Sequence, residues 1–290
     1  MGKSDFEWVY RNEANFPDFK KEMLEACRTG NLSQLQQIYQ AHDIQPGVNL
    51  EWMEGDKPPT IFTLNITAII HEHVPILQYL LSMHPTSNLN LEMVVLAIVD
   101  HPNLEMLDVI VKHQPDIINI QYRHSHTFLT DACQGGGSYN SPPNEKTLPL
   151  IHYLLDKGAD PRMGPWRDCG ALCTALEFKR PLEILEKMMD NGGTVDDFVF
   201  SAAIKNRRLD AVKLFFDRAI LRGCSTKMLL KDARETHDKK MVSLVEAEIA
   251  KFTGQELPKW WQVWNLPFRP SRNYLYRPPA DEQDEWDPEV

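Results

Sequence analysis

The sequence predicts an all-α solenoid of about seven helix-turn-helix repeats with an aromatic C-terminal tail, and three observations lead there. Short apolar stripes at i, i+3, i+4 spacing recur along the chain, each closed by Gly or Pro. Small residues sit at matching places in the first helix of each pair, where a helix must lie close against its neighbours. The intervals between these alanine anchors run from 28 residues (Ala175 to Ala203) to 43 (Ala132 to Ala175). A helical bundle would show longer helices without such an interval. One short pair cannot bury its apolar side alone, so consecutive pairs must stack.

Residues 1–22 carry Phe6, Trp8, Tyr10, Phe16 and Phe19 among charges and read as an N-terminal aromatic capping segment. Residues 23–252 form the repeat domain. The first pair holds Leu24-Glu25-Ala26-Cys27 and Gly30, with Leu35, Ile38 and Tyr39 on its second helix. Pro46, Gly47, Gly55, Pro58 and Pro59 mark a long connection over residues 43–60. The second pair opens at Thr63-Leu64-Asn65 and has Leu77, Leu80 and Leu81, with Pro75 near a helix start, where a missing N–H is harmless. The third, from Val94 to Val111, runs one residue out of register.

The fourth pair opens at Thr127-Phe128-Leu129-Thr130-Asp131-Ala132-Cys133 and closes at Leu154-Leu155-Asp156-Lys157-Gly158-Ala159-Asp160. Gly135, Gly136, Gly137, Pro142 and Pro143 break any helix between them, so residues 134–147 read as an inserted surface loop. A fifth pair follows around Ala171 to Met189 and a sixth around Ser201 to Phe216. The seventh, from Met228 to Val245, is polar and lysine-rich, as a terminal unit should be. Residues 253–290 are a separate tail, rich in Trp and Pro and then acidic. Its aromatic part, 258–279, reads as a strap folded back on the stack, with a docking segment as the rival.

These motifs resemble the ankyrin repeat, whose pattern runs T-P-L-H-x-A-A-x-x-G-H-x-x-x-V-x-x-L-L-x-x-G-A-D. The match spans about residues 23–250 and is strongest in pairs one, two, four and six. The Pro after the motif Thr is missing throughout, and the motif His becomes Asn65, Thr130 or Cys173. Such losses remove hydrogen bonds that tie one turn to the next. The resemblance implies a recognition scaffold that binds without catalysis, although fold by itself does not settle function.

Composition fits a soluble globular protein: 290 residues, 42% hydrophobic and 25% charged. The net charge of −10 disfavours nucleic acid as partner. No stretch approaches the ~20 apolar residues of a membrane span and no secretory signal is evident. Five cysteines without framework spacing predict reduced thiols and a cytoplasmic location, the nucleus being compatible. No phosphate loop, zinc motif or nucleophile elbow is present, so no cofactor and no metal are expected. His71 and His73, if helical, point about 200° apart and could not share an ion.

The resemblance places the fingers and the outward side of each first helix on one concave groove, where another protein would bind. Thr67, Asp131, Thr174 and Ser201 are the matching positions, with His71, Gln134, Glu177 and Lys205 one turn on. Arg123 and Trp166 join them from the fingers. The alternative is an enzyme or small-molecule receptor whose pocket, roofed by the tail, uses His124, His126, Asp131 and Asp168 for acid-base work.

Overall fold

The computed structural model describes residues 17–47, 61–86, 89, 91–136, 144–165, 170–218 and 224–253, without the side chains of Leu91 and Arg123. The expected capping segment (apart from residues 17–22), most of the connection before pair two, the centre of the insertion and the Trp/Pro-rich tail lie outside them. By compactness the chain divides into Met1–Glu248 and Ile249–Val290. Of the second unit only the end of the last helix is described.

The described residues hold 14 α-helices: α1 (Asp18–Thr29), α2 (Leu32–Ala41), α3 (Ile61–Ile70), α4 (Val74–Met83), α5 (Leu91–Asp100), α6 (Leu104–His113), α7 (Phe128–Gln134), α8 (Leu148–Asp156), α9 (Gly170–Glu177), α10 (Leu182–Asp190), α11 (Asp197–Lys205), α12 (Leu209–Asp217), α13 (Thr226–Glu235) and α14 (Lys239–Thr253). Among those residues there is no strand. Within the first unit the odd-numbered helices pack successively on one another, α1 on α3 through to α11 on α13, and the even ones do so from α2 to α12. Two layers of helices, one pair per step, make the predicted ankyrin-like solenoid.

One alanine per pair is the register mark: Ala26, Ala68, Ala97, Ala132, Ala175, Ala203 and Ala233 are all fully buried. Four residues beyond the alanine the chain turns left-handed, at Gly30, Glu72, Gly136, Lys179, Arg207 and His237. The next N–H then returns to the alanine carbonyl, Asn31 to Ala26, His73 to Ala68, Arg180 to Ala175 and Arg208 to Ala203, at 2.8–2.9 Å. This is the helix stop that glycine serves best, because a Cβ in that conformation meets the backbone. Gly30 has a second reason: a Cβ there would come 2.7 Å from Nδ1 of His73, whose ring lies against it. Pair three lacks the left-handed residue and spends seven positions, not six, from Ala97 to Leu104, as pair five does from Ala175 to Leu182 with Lys179 left-handed.

The helix starts are capped by local side chains. Asn31 accepts from Gln34 N–H and Asn103 from Met106 N–H. Thr127 and Thr130 form a reciprocal capping box at α7. Turns that lack the motif residues are tied by other means. The Asn119 side chain donates to the Gly158 carbonyl at 2.9 Å and accepts from Asp160 N–H at 2.8 Å, joining the exits of pairs three and four. The outer helices are linked across the steps by Tyr153 to Asp108, Lys187 to Asp156 and Arg218 to Asp190.

One position breaks the pattern. Three residues before the anchor the pairs place Met23, Val94, Leu129, Leu172 and Phe200, all buried. Pair two places Asn65 there, 1% exposed, with neither amide atom hydrogen-bonded. A buried amide without partners loses its hydration and receives nothing in exchange. Asn65→Leu, which keeps the branched outline, should therefore raise unfolding free energy by about 1–2 kcal/mol in a urea titration.

Candidate functional site

The finger before α7 is the most organised polar cluster in the described part of the chain. Tyr122 and His126 form an antiparallel bridge, Tyr122 N–H donating to the His126 carbonyl at 3.0 Å. Between them His124 and Ser125 both take left-handed φ, 53° and 64°. That is a tight hairpin turn of the kind that Asn-Gly normally supplies, built here from residues that resist it. Both are exposed.

Asp131 holds the finger from below. It sits in the first turn of α7 and is 8% exposed. Its Oδ2 accepts from the Tyr122 hydroxyl at 2.6 Å, and its Oδ1 lies 2.7 Å from Nδ1 of His126. A carboxylate can only accept, so Nδ1 of His126 carries the hydrogen and the ring is held in one orientation. Burial, then the charge and hydrogen bond of Asp131, pushes the Tyr122 phenol well above its ordinary value. The histidines therefore have separate situations, His126 bound to Asp131 and His124 at the exposed tip, rather than sharing one face of an extended finger.

The structure moves several expected groove residues inward. Thr67 is fully buried and donates to the Thr63 carbonyl at 2.7 Å. Thr174 is buried, and Ser201 is buried and donates to Oδ2 of Asp232 at 2.5 Å. Counted from the anchor alanines, Thr67, Asp131 and Thr174 are equivalent, while Ser201 lies one position earlier. Asp232 is the true counterpart of Asp131 in the last pair.

One turn on, Gln134, Glu177 and Lys205 each stand two residues after the anchor, on α7, α9 and α11, which pack in that order. Glu177 and Lys205 are exposed and Gln134 half-buried. Crowding around the Glu177 carboxyl raises its pKa. The Lys205 ammonium lies 3.5 Å from Oδ1 of Asp232, a contact between consecutive steps.

His71 is exposed, but neither it nor His73 lies within a helix. Glu72 between them is left-handed, and the two rings lie nearly parallel, 9° apart in tilt with centroids 6.3 Å apart. The helical geometry expected for this pair is thereby corrected. Nε2 of His73 is 2.9 Å from the Arg28 carbonyl, a link back to the preceding pair. The Arg123 side chain, Trp166 and Asp168 lie outside the described residues, as does Cys169.

Two groups at the site were not anticipated. Tyr122 completes the Asp131 cluster, and its place one bridge partner from His126 could have been read from the finger length. Arg180 is buried to 1% exposure, its guanidinium on the carbonyls of Ala132 and Cys133. Burial lowers its pKa from the ordinary value. No period or motif distinguishes such an arginine from a surface one.

These features define the class of protein, an ankyrin-like stack of helix pairs with a buttressed finger at pair four. Comparison with known proteins finds no matching family model and no matching curated protein. Among solved structures the chain is similar to an ankyrin repeat protein from Leishmania major, at 16% identity and a TM-score of 0.44, covering 83% of this chain and 85% of that one. The fold assignment rests on the helix ladder itself, and that likeness carries no part of the argument. Among the described residues no helix is long and apolar enough to cross a membrane, and no cluster of three or more His, Cys, Asp or Glu side chains could hold a metal ion.

Two measurements check the site's energetics. Tyr122→Phe removes one of the two donors on a buried carboxylate and should lower unfolding free energy by about 1–3 kcal/mol. Burial also raises the thiols of Cys27 and Cys133 to about 12. Such groups stay neutral when folded but ionise in the unfolded chain above about pH 8.5, so alkali favours unfolding. The urea midpoint should hold up to that pH and fall as pH rises towards 12. Cys27→Ala should show a shallower decline than the parent.

Proposed function

We propose that this chain is a non-catalytic scaffold that binds another protein along the finger side of its helix-pair stack. The observation that carries the reading is the finger at residues 122–126. Its tip keeps two consecutive non-glycine residues in a disfavoured conformation at an exposed place, and a buried carboxylate fixes it with two side-chain bonds. Strain retained by its surroundings in this way suits a surface shaped for a partner. Beside it, Gln134, Glu177 and Lys205 offer a row of amide, acid and base on successive helices, suited to the polar groups of an extended segment. The burial of Thr67, Asp131, Thr174 and Ser201 is consistent with their supporting that surface from beneath.

Free, buried thiols at Cys27 and Cys133 suit a reducing compartment, the cytoplasm or nucleus. A second reading, a small-molecule receptor or enzyme, draws on the His126–Asp131 pair, which orients an imidazole as a general base requires. It predicts that a ligand library raises the melting temperature of the parent and not of His126→Ala.

A photo-crosslinking residue placed singly at His124, Glu177 and Lys205 tests the scaffold reading. All three should trap one and the same protein from cell extract, and a crosslinker at Lys213 on the second helix of pair six should not. Three unrelated capture patterns, or equal capture at Lys213, would refute it.

A further inference from the structure

In pair four the second helix starts far from its usual place. Leu148 follows Ala132 by 16 positions, against 6 from Ala26 to Leu32, from Ala68 to Val74 and from Ala203 to Leu209. In the short turns the anchor alanine's carbonyl accepts a backbone N–H from five residues on. In pair four the chain runs into the insertion instead, and a side chain of the next pair reaches the Ala132 carbonyl: Nη2 of Arg180, at 2.8 Å. The same guanidinium reaches the Cys133 carbonyl through Nε at 2.6 Å, Thr147 Oγ1 through Nη2 at 2.8 Å and the Asn144 carbonyl through Nη1 at 3.3 Å. One cation thus grips the end of α7 and the segment where the insertion returns.

The same position elsewhere shows that this use is specific. Arg208 stands five residues after Ala203, as Arg180 does after Ala175. The carbonyl of Ala175 is already met by the N–H of Arg180, and Arg208 turns to Asp210 with contacts of 2.9 and 2.7 Å. Arg180 contacts no carboxylate at ion-pair distance among the described residues; the carbonyl dipoles that end α7 and the more distant charge of Glu145 favour its cation. With only the seven residues Phe128–Gln134, α7 is too short to persist on its own. Its first turn carries Asp131, and Asp131 holds Tyr122 and His126.

We propose that Arg180 is the positioning residue of the pair-four recognition element: it ties the end of α7 to the segment where the insertion returns and so sets Asp131 and the finger that Asp131 supports. The inference rests on the scaffold reading only for the use made of the finger. Its test reads local order and needs no partner, so either idea can fail without the other.

The experiment is amide hydrogen exchange on the full chain. Arg180→Met should speed exchange over residues 122–135 at least about tenfold and leave residues 17–47 unchanged. Arg208→Met should leave 122–135 unchanged. Arg180→Lys should behave like the methionine variant, because an ammonium cannot meet these acceptors in the guanidinium's plane. Deleting residues 137–146 brings Leu148 six positions beyond Ala132 and Thr147 five, the place from which the short turns draw their backbone N–H. In that background Arg180→Met should change exchange over the finger less than about twofold. Should Arg180→Met leave the full chain unfolded, Thr147→Ala removes one acceptor and must raise exchange over 122–135 selectively. Unchanged exchange there in either variant, a uniform rise along the chain, or an undiminished effect after the deletion would overturn the proposal.

Discussion

A helix pair of about twenty residues exposes one apolar side, and only a neighbouring pair can cover it; every other feature of the repeat unit follows from that requirement. Close approach of successive inner helices demands a small residue at the contact. Each pair supplies an alanine there, with no exposed surface. The chain must then reverse within a few residues so that the outer helix can cover the inner one. The left-handed turn and the N–H returned to the alanine carbonyl achieve this with one geometry, reused along the stack. The alanine is therefore both the packing contact and the hydrogen-bond register of the step.

Most of those turns are built from unfavourable residues. Glu72, Lys179, Arg207 and His237 occupy a conformation that only Gly30 and Gly136 enter without a clash of Cβ. Each costs on the order of 1 kcal/mol relative to glycine, and the stack tolerates this because the step-to-step burial is repeated. Side chains at these turns or just after them are put to use between steps. His73 reaches the Arg28 carbonyl, Arg180 the end of α7, and Arg207 the Thr236 carbonyl at 3.2 Å. Links of this kind stand in for the turn-to-turn hydrogen bonds that the missing motif residues would make.

The helix pairs were legible in the sequence because alanine spacing and apolar stripes are one-dimensional signals of a one-dimensional stack. Exposure was less so. Thr67 and Thr174 look like solvated groove residues by type, yet each lies on an inner helix covered on nearly every side, α3 and α9 being buried almost throughout. Ser201 was misassigned by one position because two adjacent alanines, Ala202 and Ala203, both fit the anchor. The separation of about 200° between His71 and His73 holds only on a helix, and the left-handed Glu72 between them turns the two rings parallel instead. Arg180 was illegible for a different reason: its role depends on carbonyls 47 and 48 residues earlier, and nothing local to the arginine points to them.

The same logic moves the proposed binding surface. In a regular stack the inner helices' outward rows would face a partner directly. Here the row containing Asp131 is drawn into the protein, and the carboxylate's bonds run upward to Tyr122 and His126 instead of outward to solvent. A buried carboxylate tolerates that position only while both donors stay in reach. The finger is therefore rigid for electrostatic reasons. Its tip, with His124, becomes the most fixed polar projection of the fourth step, and the exposed Glu177 and Lys205 extend the surface along the next two. On the proposed scaffold reading, a partner would meet a surface ordered before it arrives, and less of the binding free energy would go into ordering it.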